Sequence, residues 1–155
     1  MDWMERQIKV RGIAVLDGKL LCVQLAPYNN LTAESEPFWC LPGGGVDDGE
    51  SIEDAIRREM IEELGAEPKI GRVLYVQQFA HKDTDYLEFF FLIENPQDYQ
   101  KIDLSKTTHG EKEIAVIDFV DPKTAHILPE FLSTEDLPVF IASNQPVRVF
   151  DQYRA

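Results

Sequence analysis

The stretch from Leu41 to Gly65 limits the fold of this chain more than any other: Pro42-Gly43-Gly44-Gly45 leads into residues whose apolar members recur at helical spacing. Ser51, with Asp54 three residues on, has the pattern of a helix N-cap, and Gly65 has that of a C-cap, so a helix is predicted between them. At about 100° per residue from Ile52, the residues Ala55, Ile56, Met60 and Leu64 span an arc from about −60° to about +120°. Glu59 and Glu63 fall inside that arc, at about −20° and about +20°, and Glu62 borders it near about −80°. Carboxylates in the last turns also oppose the negative end of the helix dipole, so something must compensate them. One explanation is a solvated acidic face with Arg57, Arg58 and Lys69 nearby. The other is a bound cation: residues at i, i+3 and i+4 can bring oxygens to one coordination sphere, and hard divalent ions such as Mg²⁺ take oxygen ligands. Arg58 and Glu62, four apart, can pair, and the glycines allow a turn that brings a backbone carbonyl or amide toward the same ion.

Strand patterns flank this helix. Ile8 to Leu16 and Leu20 to Leu25 read as a hairpin about Asp17-Gly18-Lys19, and Phe38 to Leu41 as a short strand entering the glycines. Ala26 to Pro37, polar and proline-edged, reads as a loop. Arg72 to Phe79 and Tyr86 to Ile93 form a second strand pair, and Glu113 to Val120 a further strand. Ser133 to Ala142 reads as a short helix and Val147 to Phe150 as a late strand. Strands on both sides of a helix give an α/β or α+β class.

At 155 residues one domain over residues 1–155 is expected. The net charge of −13 repels long nucleic acids and anionic membranes. A small anionic substrate meets the same field, so phosphate binding requires a cation held among the protein's own carboxylates. Cys22 and Cys40 lie in apolar runs without metal-ligand spacing and are read as buried free thiols. The start of the chain has no basic-then-apolar leader and no window approaches a membrane span, which points to the cytoplasm.

Gly44, then Glu50 after five residues, then Arg58-Glu59 after seven more, followed by Glu62-Glu63 and Gly65-Ala66, resembles the Nudix box in every fixed position. Seven identities at set spacing arise by chance on the order of 10⁻⁸, so this pattern is far more specific than a lone glycine motif. The resemblance implies an α-β-α sandwich with a mixed β-sheet and a hydrolase that cuts a pyrophosphate bond. It implies that Glu59, Glu62 and Glu63 bind Mg²⁺ or Mn²⁺, with the Gly43 carbonyl as a further ligand. Arg58 would orient a glutamate, with Glu50 as its partner or an outer ligand. A carboxylate from a later strand often joins the set; Glu113 is chosen, with Glu111 as competitor. The attacking water's proton acceptor stays open among Glu62, Glu113 and His109.

Substrate residues lie outside the box. Arg11 substitutes for the arginine some relatives carry late in the second strand, where Gln24 and Leu25 stand here; Tyr28, Trp39 and Phe79, with Phe38, are candidates to stack on a base. The proline typical of ADP-ribose hydrolases beyond the box is absent, since Ala80-His81-Lys82 occupies that region. The expected partner is a small phosphorylated compound, a nucleotide above all, and a homodimer is compatible with the sequence. A non-catalytic nucleotide-binding module on the same fold is the alternative.

Overall fold

The computed structural model describes residues 4–25 and 38–152. Alternation along two strands decides the layering. In β3 (Lys19–Leu25) Leu21 and Val23 enter one apolar cluster while Leu20 and Cys22 enter another. In β6 (Thr84–Ile93) Phe91 and Ile93 face the first cluster and Phe90 the second. Both strands are therefore buried on two faces, which is why they read as nearly continuous apolar runs. The first cluster packs against α1 (Ile52–Leu64) through Ala55, Ile56, Met60 and Leu64. The second packs against α3 (Phe131–Thr134) and α4 (Leu137–Ala142) through Phe131, Leu132, Leu137 and Phe140. Helices on both sides of the strands make the expected α-β-α sandwich.

Nine residues, Glu5–Ile13, form β1, and Gly43–Gly45 forms β4. With β5 (Ile70–His81) and β8 (Arg148–Asp151) they give a five-stranded sheet in the order β4-β1-β6-β5-β8. It is mixed: β1 runs parallel to β6, and β5 parallel to β8, while β1–β4 and β5–β6 are antiparallel. A second sheet joins β2 (Val15–Leu16), β3 and β7 (Ile114–Val120).

Several expectations are corrected. The run Ile8 to Leu16 is two strands in different sheets: the turn at Asp17-Gly18 joins β2 to β3, whereas β1 pairs with β6 and β4. Phe38 to Leu41 forms no strand, only single bridges from Cys40 to Val23 and from Trp39 to Ile127. The helix expected over 133–142 is split, because the Asp136 side chain caps a new helix by accepting from the Val139 N–H and Pro138 sits in its first turn. Glu113 ends a four-residue helix, α2 (Gly110–Glu113), rather than opening β7. The candidate Tyr28 and the loop at 26–37 lie outside the described residues.

Candidate active site

The bounds of α1 follow from its caps. The Ser51 hydroxyl accepts from the Asp54 N–H at 3.0 Å, and Gly65, at φ 77°, returns its N–H to the Ile61 carbonyl at 2.9 Å. These ends set the phase that turns Glu63 into the core, where it is 6% exposed. Its Oε2 accepts the Gly43 N–H at 3.3 Å. Burial first, and then the neighbouring Glu59, push its pKa up to about 8. Burial also raises the pKa of Glu59, against the opposing pull of Arg58.

Arg58 is the hub of the cluster. Its Nε and one terminal nitrogen donate to the two oxygens of Glu50 at 2.8 and 2.9 Å, a bidentate pair that holds Glu50 below the usual carboxylate range. The other terminal nitrogen bridges Glu59 at 3.1 Å and Glu62 at 3.2 Å, while a further N–H reaches the Gly45 carbonyl at 3.0 Å. Replacing Arg58 by Lys keeps the charge but loses the planar fork. Loss of such an outer partner is expected to weaken Mn²⁺ affinity and kcat/KM together by about 10- to 100-fold. Titration of Mn²⁺ by electron spin resonance checks it; unchanged affinity would remove Arg58 as a positioning residue.

The opposite wall comes from the segment before β7. The His109 N–H donates to the Glu62 carbonyl at 2.8 Å, and His109 Nδ1 stands 3.1 Å from Glu62 Oε2. Gly110 packs its bare Cα against the Glu63 carbonyl oxygen and Thr107, a place where a Cβ has no room. This docking brings Glu113, itself exposed, near enough for its charge to raise Glu59 and Glu63 further. Glu111 is exposed and lines a separate shallow cleft with Ile114 and Val116.

Among the described residues no group of three or more His, Cys, Asp and Glu side chains is arranged, as it stands, to hold a metal ion. The carboxylates are instead engaged by protein donors, with Arg58 between Glu59 and Glu62 and the Gly43 N–H on Glu63. The donor set nevertheless fits a hard divalent cation. Every side-chain donor is an oxygen, Glu63 is buried and makes no ion pair among the described residues, and Gly44 leaves open a place that a Cβ would take from the Glu59 carboxylate.

Behind Leu41 lies a cavity of about 650 Å³, whose wall includes Arg11, Gln77, Phe79, Glu88 and Phe150. It does not contain the carboxylates of α1; Arg11 connects the two regions. Its guanidinium reaches the Leu41 carbonyl at 3.4 Å and Glu88 at 3.5 Å, and its charge is felt at Glu63. Of the substrate candidates, Arg11 and Phe79 line this cavity. Trp39 packs instead against the second apolar cluster. Glu88 was not anticipated, although one carboxylate within Leu87-Glu88-Phe89-Phe90-Phe91 was a signal available in the sequence.

A family model described as the NUDIX domain matches residues 6–140. An RNA pyrophosphohydrolase of Haemophilus influenzae is 50% identical over 40 residues, which are 26% of this chain and 20% of that protein. An ADP-ribose pyrophosphatase of Methanocaldococcus jannaschii is 32% identical over 84 residues, 52% of this chain and 45% of the relative. The curated relatives are thus matched over a fifth to under a half of their own length. Among solved structures, the E. coli ORF135 protein superposes with a TM-score of 0.66 at 20% identity, over 91% of this chain and 94% of the other. A UDP-X diphosphatase gives 0.65 at 19% identity, over 96% and 69%.

Proposed function

This chain belongs to the NUDIX family, and on that premise we propose that it hydrolyses a pyrophosphate bond in a small nucleotide, with a divalent cation held by the carboxylates of α1. The observation that carries the proposal is the Arg58 hub: one guanidinium fixes Glu50 through two bonds and bridges Glu59 to Glu62, beside the buried Glu63. A fold needs none of this for packing, and burying Glu63 costs stability unless a cation repays it.

Glu59, Glu62 and Glu63, with the Gly43 carbonyl and Glu113, would hold Mg²⁺ or Mn²⁺. Bound there, the ion would neutralise phosphate charge and make a water more acidic. The protein's own share is positioning. Arg58 fixes the rotamers of Glu50, Glu59 and Glu62, and Gly44 leaves Glu59 room beside the backbone. Glu62 faces His109 at 3.1 Å, so the two are suited to take up the proton as water attacks phosphorus and the bridging oxygen leaves with the second phosphate group. The products are a monophosphate and a phosphorylated remainder. Free thiols at Cys22 and Cys40 suit a reducing cytoplasm.

The test is turnover of nucleoside triphosphates, dinucleoside polyphosphates, nucleotide sugars and ADP-ribose. A 5′-triphosphorylated RNA is included because relatives named RNA pyrophosphohydrolase match over a short stretch. Reactions run with Mg²⁺ or EDTA, beside Glu62→Gln. Metal-dependent release of a monophosphate, lowered about 10²- to 10⁴-fold in the variant, is expected. Tight metal-independent binding without turnover of any compound would instead identify a regulatory module.

A further inference from the structure

The cavity behind Leu41 contains a charge that the hydrolytic centre does not use. Glu88 lies midway along β6 with Lys9 of β1 and Gln77 of β5 as its cross-strand partners. The residue is 7% exposed, and its side chain is nine-tenths buried. Its contact among the described residues is Arg11 Nε at 3.5 Å, too long for a good charge-assisted hydrogen bond, which runs about 2.7–2.9 Å. A buried carboxylate that accepts no close hydrogen bond is costly, and a ligand group can satisfy it. Glu88 and Arg11 both line the cavity, with Arg11 Nε 3.5 Å from Glu88 Oε2, and Phe79, Phe90, Phe131 and Phe150 supply apolar wall.

We propose that Glu88 and Arg11 read the edge of a guanine ring in this cavity, Glu88 being the specificity-determining residue. The inference rests on the chain being a nucleotide hydrolase. Its chemistry is a matter of matching donors to acceptors. A carboxylate beside a guanidinium presents two acceptors next to a set of donors. Guanine presents the complement, an amino group and a ring N–H next to a carbonyl oxygen. Adenine and cytosine carry one amino group followed by an unprotonated ring nitrogen, so one carboxylate oxygen stays unpaired. Uracil sets carbonyls on both sides of its single N–H and turns one of them toward the carboxylate. A volume of about 650 Å³ admits a nucleoside, since small-molecule sites run from about 300 to 1,000 Å³. The aromatic wall then supplies stacking that is common to all bases, leaving discrimination to the polar pair.

The experiment measures kcat/KM for GTP, ITP, ATP, CTP and UTP with Mg²⁺, on the wild-type chain and on Glu88→Gln. ITP differs from GTP only in lacking the amino group. In parallel, binding of GMP and IMP is measured by calorimetry on both proteins. GTP is expected to exceed ITP by about tenfold or more, as for a base read through a bidentate pair. GMP should bind more tightly than IMP in the same sense, and both ratios should fall toward one in Glu88→Gln. A residue that only anchors Arg11 would slow all five triphosphates by a common factor and leave the ratios unchanged. That result, or equal kcat/KM for GTP and ITP in the wild type, overturns the assignment while the hydrolase reading stands. Preference for GMP over IMP without turnover of any triphosphate supports the base reader and removes the hydrolase. Neither turnover nor a GMP preference removes both. The wild-type ratios decide even if the variant does not fold.

Discussion

Glu63→Gln is expected to melt at a higher temperature than the wild-type chain in EDTA at pH 9, and to turn over substrate at least about a hundredfold more slowly in Mg²⁺. The two effects have one cause. In the folded chain burial raises the Glu63 pKa from its ordinary 4.5 to about 8, so the folded state binds more protons than the unfolded state between those values. Stability is therefore full below the unfolded value and is lost as pH rises, the loss being complete once pH passes the folded value. Above about 8 the wild-type chain holds an ionised carboxylate in its core, whereas glutamine keeps the shape without the charge. One pKa unit is worth about 1.4 kcal/mol, so the rise from 4.5 to about 8 sets an upper limit of about 5 kcal/mol on the gain at pH 9, and the gain vanishes at pH 4. Adding Mg²⁺ should reverse the order, because an ion that binds only the folded state stabilises it by mass action and the variant binds that ion poorly. Melting curves at pH 4 and 9, with EDTA or Mg²⁺, give all the comparisons. A variant less stable than wild type at pH 9 in EDTA would mean that Glu63 serves the fold rather than a cation.

The second large effect separates two adjacent glycines. Gly43 has φ +143°, and a Cβ there would overlap the carbonyl oxygen of Val10 on the neighbouring strand β1. Backbone must move to admit it, so Gly43→Ala should cost about 3–5 kcal/mol, or about 6–20 °C in Tm for a chain of this size. At Gly44 a Cβ would meet the Glu59 carboxylate at 2.5 Å, the far end of a long side chain that can give way more easily than backbone. Gly44→Ala should stay within about 1 kcal/mol of wild type. Because it pushes Glu59 aside, it should lower Mn²⁺ affinity and kcat/KM by about 10- to 100-fold. Thermal melts beside Mn²⁺ titration read both quantities; equal losses of stability in the two variants would contradict the packing described for β4.

What the sequence made legible was local. The caps at Ser51 and Gly65 and the 3.6-residue period were enough to put Glu63 in the buried arc, because a helix fixes its side-chain directions within its own span. The departure of β1 to a different sheet from β2 was not legible, since both strands suit either sheet and partner choice is made by residues some 80 positions away, at Leu87 and Phe89. Glu113 read as the start of a strand because the β-branched run behind it hides one turn of helix set by Gly110 against α1. Arg58 was expected to meet Glu50 and Glu62, but its bridge to Glu59 depends on where β4 leaves the Gly45 carbonyl. Glu88 stood in plain view within an apolar strand; what was missing was the cavity, which is assembled from β1, β5, β6, β8 and the residues before α3.

That assembly has a thermodynamic consequence. Strand β8 pairs with β5 at the end of the sheet, and from it Phe150 reaches the cavity wall, followed by Gln152. A molecule filling the cavity touches β8 as well as β1, so the free energy that closes this end of the sheet and the free energy of occupancy are coupled. Whatever loosens Val149 and Phe150 from β5 would weaken binding of such a molecule, and the molecule in turn would clamp β8 by the same amount.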